Sequence, residues 1–319
     1  MPSKAHPVRG YLYIGTATFL WGISATLGRA LFTGKLMPAG EALRPIDPLI
    51  LAQSRTTISL LVLLPVLLLR RGARGLALPR RDLLHTIALG ILGVAPSNFF
   101  YYLAIQKTNV ATAIILQYTA PVWVLLYMVA RGLQKPTLRR VAAVGLAVAG
   151  STLAIGVIGG GGLRGSTVGL IAGTLAAFSF AFYNVGGHDI LARYDRWKVL
   201  LYTLASAAVF WTVVNPPWKI ATAHYGHGQW LFMLAFAVVS VLLPFSLYFS
   251  GLQHLDATSA IVGSCLEPVF SIVIAAIVLN EVVRPLQTLG IVVVLTAIVL
   301  VQMPNRAVKE EAAVVEPME

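Results

Sequence analysis

Charged residues and cysteine are both scarce in this sequence. Only 11% of its 319 residues are charged, whereas 57% are hydrophobic, and the mean hydropathy is +0.80. A soluble domain has about 25% charged residues, so this chain cannot cover its apolar surface with polar groups. Lipid must therefore be its solvent. The single cysteine, Cys265, excludes an internal disulfide.

The sequence also lacks the side-chain groupings that most enzymes need. Its six histidines are scattered, and we find neither a metal-ligand cluster nor a Ser/His/Asp grouping. The glycine-rich stretch "GVIGGGGLRG" (156–165) lacks the Lys-Ser/Thr of a phosphate-binding loop. We therefore expect no enzymatic activity, no cofactor and no metal. The net charge of +12 comes from basic residues in short loops between apolar runs. Such loops flank membrane helices, so we expect no nucleic-acid partner.

Long apolar runs predict ten transmembrane helices and hence an all-α membrane protein. Most lysines and arginines fall at the two termini and in alternate loops, which places both termini in the cytoplasm. The first run is long enough to span, so we interpret it as a retained helix rather than a cleaved signal peptide. The acidic tail at 304–319 is expected to be a disordered cytoplasmic segment. The predicted spans are 11–33, 47–69, 83–105, 109–130, 138–157, 167–187, 198–215, 229–250, 257–279 and 286–303.

Two stretches of the sequence align without a gap and predict a duplication. "YYLAIQKTNVATAIILQYTAPVW" (101–123) matches "YFSGLQHLDATSAIVGSCLEPVF" (248–270), including the Pro-Val pairs. We predict two five-helix repeats, 1–160 and 161–303. Because five is odd, the second repeat enters from the opposite face, as in secondary transporters that bind substrate in a central cavity between their halves.

Prolines at matching places in the two repeats predict helix breaks. Proline removes a backbone hydrogen bond, and in lipid the freed carbonyl needs another partner or a wet cavity. We interpret these breaks as gating positions at the cavity; a purely structural kink is the alternative. The prolines concerned are Pro96, Pro121, Pro244 and Pro268.

Several of these features together resemble the drug/metabolite transporter superfamily, in its EamA-like ten-helix branch. They are Arg55 in the second span, the tight turns "QKTN" (106–109) and "QHLD" (253–256), and "LNEVVRPLQTLGIVVVL" (279–295). That branch has a glutamate after the fourth helix of each half and a glycine early in the fifth. Glu281, Gly290 and Gly145 fit this pattern, whereas "VARGLQKPT" (129–137) lacks the first glutamate.

Within that branch the sequence is most similar to the bacterial aromatic amino-acid exporters of the YddG type. The resemblance implies a multi-pass protein of the bacterial inner (plasma) membrane. It also implies transport by alternating access.

Arg55 and Glu267 are the ionisable residues that fall clearly inside predicted spans. A charge at membrane depth costs about 2.5–3.5 kcal/mol even on insertion scales, so each needs a physical reason. In one interpretation Glu267 fixes helix packing, either protonated or bonded to Arg55 or to hydroxyl groups. In the other it faces the cavity, where it binds a substrate ammonium group or carries a proton. Both interpretations stay open on the sequence alone.

Aromatic and hydrogen-bonding side chains near the matched prolines predict a substrate site. Aromatic rings stack on aromatic or cationic ligands, and the polar groups suit the ammonium and carboxylate of an amino acid. The alternative is that these side chains face lipid or bond to neighbouring helices. The predicted cavity residues are Trp21, Ser24, Asn98, Tyr101, Thr112, Gln117, Tyr118, Phe178, Ser179, Tyr183, Asn184, Ser246, Tyr248, Ser264 and Glu267.

We therefore predict a secondary-type exporter or facilitator of small organic solutes, most of all amino acids, including aromatic ones. A carrier of another metabolite class, such as nucleotide sugars or cationic drugs, is the first alternative, and a membrane-embedded lipid-modifying enzyme is the second. The expected partners are a small-molecule substrate and the lipid bilayer, with the chain a monomer. Both proton coupling and uniport are compatible with the sequence.

Overall fold

The protein is helical throughout the part that its computed structural model describes, namely residues 6–32, 46–108, 110–155, 166–279 and 282–303. Within these ranges there is no β-strand, and eight helical segments are long and apolar enough to cross a membrane. The prediction of an all-α membrane protein is confirmed to that extent. Three predicted features lie outside the described residues: Glu281, the link at 156–165 and the tail at 304–319.

The described helices include two short π-helical turns, each placed within a membrane-crossing segment. In chain order the elements are α1 (Pro7–Phe32), α2 (Pro48–Leu76), α3 (Arg80–Ala88), π1 (Leu89–Val94), α4 (Ala95–Lys107), α5 (Val110–Gln117), α6 (Ala120–Ala130), α7 (Leu138–Ala154), α8 (Thr167–Leu191), α9 (Arg196–Val214), α10 (Trp218–Thr222), α11 (His227–Ala237), π2 (Val238–Leu242), α12 (Leu243–Leu252), α13 (Ala257–Ser264), α14 (Leu266–Leu279) and α15 (Pro285–Gln302).

Polar side chains in the loops fix where several helices begin. The carboxylate of Asp47 accepts hydrogen bonds from the backbone N–H groups of Leu49 and Ile50, at 2.8 and 3.1 Å, at the start of α2. Such caps satisfy backbone donors that have no partner inside the helix. Four other helix starts are capped in the same way, by Thr137, Ser166, Asp195 and Asp256.

Helix geometry changes next to each of the four matched prolines. The turns π1 and π2 end two residues before Pro96 and Pro244, which lie in the first turns of α4 and α12. A two-residue turn separates α5 from α6, whose first turn holds Pro121, and one residue separates α13 from α14, whose first turn holds Pro268. In α6 and α14, which begin after a break, proline is tolerated because its missing N–H would have no intrahelical partner there. The turns π1 and π2 run directly into α4 and α12, so there a widened turn adjoins the hydrogen bond that the proline removes.

Glycine allows two of the helices, α7 and α15, to pack backbone against backbone. A Cβ atom at Gly150 would lie 2.8 Å from the backbone nitrogen of Val294, and one at Gly290 would lie 2.7 Å from the Gly150 carbonyl oxygen. Both distances are too short for a real side chain, so this crossing requires glycine. Gly145, on the same helix as Gly150, has open space beside it.

The packing of the other helices places α8 and α1 within the bundle. Helix α8 packs on α4, α5 and α6, and α1 packs on α12 and α14. Helix α2 packs on α9 and also contacts α4. Residues from α2, α4, α5, α8 and α14 can therefore meet inside the bundle, although they are far apart in sequence.

Candidate functional site

The carboxyl group of Glu267 lies in the first turn of α14, immediately after the break that separates α13 from α14. The hydroxyl of Tyr118 donates a hydrogen bond to it. Tyr118 itself belongs to the turn between α5 and α6. One hydrogen bond thus joins the two helix breaks directly, and the half-buried carboxyl of Glu267 receives the partner that it needs in an apolar environment.

The guanidinium group of Arg55 is held by two residues of α4. It donates a hydrogen bond to Oδ1 of Asn98, and it lies over the ring of Tyr102 at 6.0 Å from the ring centre. The amide nitrogen of Asn98 donates to the Val94 carbonyl at 2.8 Å, which fixes the direction in which its oxygen points. Asn98 and Tyr102 are four residues apart and therefore share one face of the helix.

Arg55 and Glu267 belong to one electrostatic cluster without forming a direct ion pair. The carboxyl of Glu267 interacts electrostatically with Arg55, Tyr101 and Tyr183. Within the described ranges, however, the ion pairs closer than 4.0 Å involve other residues. The sequence analysis named Arg55 or hydroxyl groups as possible partners of Glu267. In the structure its hydrogen-bond partner is the hydroxyl group of Tyr118.

A group of aromatic side chains lies next to this cluster. The ring of Trp21 is 5.4 Å from the rings of both Phe245 and Tyr248, and Tyr183 lies 6.2 Å from Tyr248. Because Tyr183 also interacts with Glu267, it connects the aromatic group to the carboxylate. Such edge and tilted ring contacts are favourable in themselves, and Trp21 is the half-buried member of the group.

Asn184 contributes an amide group to the aromatic region. Its amide nitrogen Nδ2 donates a hydrogen bond to the Tyr248 hydroxyl, and its oxygen Oδ1 has no hydrogen-bond partner among the described residues. An unpaired polar atom inside an apolar environment is costly, so this amide is a candidate to bind water or a ligand group.

The remaining predicted cavity residues lie outside these contacts. The hydroxyls of Ser24, Ser246 and Ser264 donate to carbonyl oxygens of their own helices. Phe178 is 43% exposed and stands on an apolar stripe of α8, where its ring is 4.1 Å from that of Trp123. Three further members are Gln117, which is half-buried at the end of α5, and Thr112 and Ser179, which are buried.

The predicted cavity residues differ in their accessibility. Tyr118, Tyr183 and Tyr248 are buried, as is Asn184, whereas a second set is only half-buried. That second set contains Trp21, Asn98, Tyr101 and Glu267, and Arg55, which was predicted separately as a charge inside a span, is half-buried as well. The accessible part of the predicted site is therefore the side that carries both charges, and the buried part is mainly aromatic.

The chemistry available in this cluster is binding and proton exchange. A carboxyl group can bind an ammonium group or a proton, and a guanidinium group can bind a carboxylate in a planar, directed way. Among the described residues, no group of three His, Cys, Asp or Glu side chains is placed to hold a metal ion. Tyr102 is not among the predicted cavity residues; its spacing from Asn98 is the sequence signal that points to it.

Comparison with known proteins identifies the family. Residues 8–156 and 167–303 each match the model of the EamA-like transporter family. The chain belongs to the EamA-like transporter family. It is accordingly a multi-pass membrane transporter, which agrees with the membrane-crossing helices of its fold.

Curated relatives of this EamA-like protein carry the names of transporters. The uncharacterized inner membrane transporter YicL of Salmonella typhimurium is 24% identical over 229 residues, covering 71% of this chain and 75% of that protein. An uncharacterized transporter of Archaeoglobus fulgidus is 26% identical over 267 residues, covering 79% and 86%. A solved crystal structure with a TM-score of 0.72 and 20% identity covers 92% of this chain and 95% of its own, which supports the fold.

Proposed function

We propose that this EamA-like protein is a secondary-type exporter or facilitator of small organic solutes across the bacterial inner membrane. We further propose that its substrates are amino acids, including aromatic ones. Transport proceeds by alternating access, with the substrate held near the cluster of Arg55 and Glu267.

The observation that carries the substrate class is that Arg55 and Glu267 share one cluster without an ion pair closer than 4.0 Å. A zwitterion complements such an arrangement, because its carboxylate can bind the guanidinium while its ammonium group binds the carboxylate. The aromatic group around Trp21 and Tyr248 would then receive an apolar or aromatic side chain. A ligand with only one charge would leave one of the two protein charges without a partner.

The proposal of two repeats is supported by their matching helix bounds. Helices α5 and α13 both have eight residues, and each is followed by a break and a proline. The turns π1 and π2 occupy corresponding places before α4 and α12. The separate family matches at 8–156 and 167–303 divide the chain close to the proposed units 1–160 and 161–303.

We propose ten spans, with α1 and α7 added to the eight that meet the criteria of length and hydropathy. Helix α1 has 26 residues and α7 has 17, so each is long enough to cross most or all of the hydrocarbon layer. An odd number of spans in each repeat inverts the second one and places both termini on the same side, which the distribution of lysines and arginines makes the cytoplasm. Cysteines introduced at positions 75 and 161 should react from opposite sides of the membrane; reaction from one side would refute this topology.

Counterflow in proteoliposomes tests the substrate proposal. Vesicles loaded with unlabelled amino acid should accumulate the same labelled amino acid, whereas sugars and nucleotide sugars should not exchange. Arg55→Gln should raise the half-saturating concentration by about 10- to 100-fold, since a hydrogen bond to a charged group contributes about 1.5–3 kcal/mol. The exposed Arg74→Gln is the matched control and should behave as wild type.

The same assay separates proton coupling from uniport. If Glu267 carries the coupled proton, an imposed pH gradient should accelerate wild-type transport, and Glu267→Gln should abolish that acceleration. Counterflow should continue in this variant with a raised half-saturating concentration, because the ammonium group loses its carboxylate partner. If no amino acid exchanges in the wild-type vesicles, the substrate proposal is wrong regardless of the gradient.

A further inference from the structure

A second site is indicated by an apolar groove between α6 and α7, away from the Glu267 cluster. The groove encloses about 300 Å³ and presents no polar surface. The side chains that line it include Val122, Leu126 and Val129 of α6, Val141 of α7, and Pro136 of the connecting loop. Gly145 of α7 also lines the groove, and a Cβ atom built on it would have no other atom within 4 Å.

Basic residues neighbour the groove-lining residues in the sequence, in and beside the loop that joins α6 to α7. Each lies within two residues of a groove-lining position, so the chain itself brings positive charge to the mouth. The side chain of Arg140 donates to the Lys135 carbonyl at 3.3 Å, which holds the loop against the start of α7. The basic residues are Arg131, Lys135, Arg139 and Arg140.

The first turn of α7 carries this charge where a helix ordinarily prefers the opposite sign. Backbone dipoles make the N-terminal end of a helix positive, so acidic residues or bound anions are favourable there. Helix α7 has no acidic residue in its first turn, and Arg139 and Arg140 occupy that turn instead. An anion bound at the mouth would offset both the dipole and the clustered arginines.

The nearest carboxylate contact in this loop is already used within the protein. Asp256 accepts a hydrogen bond from Gln134 at 2.8 Å, and it also accepts from the backbone and the hydroxyl of Ser259 at 3.0 and 2.7 Å. It caps α13 through these contacts. These donors are all neutral, so Asp256 keeps its negative charge, and the hydrogen bonds hold it in place as a structural cap of α13.

The apolar side chains between the basic residues face outward. Leu133 is 62% exposed and Leu138 is 85% exposed, and they alternate with the charged positions along the loop. Alternation of exposed leucines with arginines and lysines is expected where a segment lies at the boundary between hydrocarbon and headgroups. The composition of the loop therefore suits the depth of the lipid phosphates.

We propose that this groove binds one anionic phospholipid, with an acyl chain along the wall formed by α6 and α7 and the phosphate at the basic mouth. The occupant is an anionic lipid rather than any lipid, because an apolar groove alone would accept every acyl chain, whereas the basic cluster selects for charge. The site is independent of the substrate cluster, since the groove residues and those around Glu267 do not overlap.

Native mass spectrometry of the detergent-purified protein tests the proposal, with phosphatidylglycerol as the anionic probe and phosphatidylethanolamine as the zwitterionic one. Wild type should retain one phosphatidylglycerol at least fivefold more than phosphatidylethanolamine. Gly145→Leu fills the groove and should abolish retention of that lipid. Lys135→Gln combined with Arg140→Gln should leave the groove open but remove the preference for the anionic lipid.

Matched controls use comparable positions elsewhere in the chain. Gly15 also has no atom within 4 Å of a built Cβ, so Gly15→Leu adds the same bulk at another open helix position. Arg70→Gln combined with Arg74→Gln removes two exposed charges from the C-terminal end of α2. Both controls should retain phosphatidylglycerol as wild type does.

Several results would overturn the proposal. Equal retention of the two lipids by wild type would show ordinary annular contact. Unchanged binding in the charge variant would show that the basic mouth does not select the lipid, even if the groove variant failed to fold. A lipid-free dimer in the same spectra, lost in Gly145→Leu, would assign the groove to a second copy of the chain.

Discussion

The contact between α7 and α15 gives a sharp prediction about stability. In Gly290→Ala the new methyl group would meet backbone atoms of Ala154 and the carbonyl oxygen of Gly150, the latter at 2.7 Å. Backbone atoms cannot rotate away as a side chain can, so the helices must separate. Overpacking of this kind costs about 3 kcal/mol at the upper end of the usual range. Alanine regains up to about 1 kcal/mol of helix propensity, which leaves a net loss of about 2 kcal/mol.

Gly145→Ala is the matched control because it adds the same methyl group to α7 where no atom lies within 4 Å. It should gain up to about 1 kcal/mol, so the two variants should differ by about 3 kcal/mol. Reversible unfolding in mixed micelles, followed by tryptophan fluorescence, measures both free energies. If Gly290→Ala is as stable as wild type, the backbone contact described here does not exist in the membrane.

Two further predictions concern titratable side chains at or near helix ends. Asp82→Ala removes the buried carboxylate that accepts a hydrogen bond from Arg193, and it should lower the unfolding midpoint more than Arg71→Gln, whose ion pair is exposed; equal losses would contradict this. Burial, followed by the charge of His6, lowers the pKa of His254 below its ordinary value of 6.5. The unfolded chain therefore binds that proton more readily, and stability should fall as the pH drops below about 6.5. His254→Gln should flatten this dependence of the unfolding midpoint on pH, and an undiminished slope would assign it to another group.

Much of the helical layout follows from the sequence because lipid imposes simple rules. The predicted spans 138–157 and 286–303 correspond to α7 and α15 within a few residues. The prolines also indicated where helices change, since a proline cannot donate a backbone hydrogen bond. The sequence did not predict that two of those changes are π-helical turns. The turns π1 and π2 precede their prolines, and a widened turn has no sequence signature of its own.

The candidate site was predictable in composition but not in contacts. Depth along the helix placed Arg55 and Glu267 near one another, but depth does not fix the direction in which a side chain leaves its helix. The structure turns Arg55 toward Asn98 and gives Glu267 the hydroxyl of Tyr118 instead. The serines bond to their own helices because a carbonyl three or four residues back is within reach, and hydrophobic periodicity alone does not reveal that choice.

The solitary sulfhydryl also makes this transporter convenient to study. Cys265 is fully buried in the one-residue break between α13 and α14, beside Ser151. Thiol reagents should therefore label the resting wild-type protein very little. Labelling of an introduced cysteine can then be measured with little contribution from Cys265. Reaction of the Cys265 thiol during turnover would show that the break between α13 and α14 opens in the transport cycle.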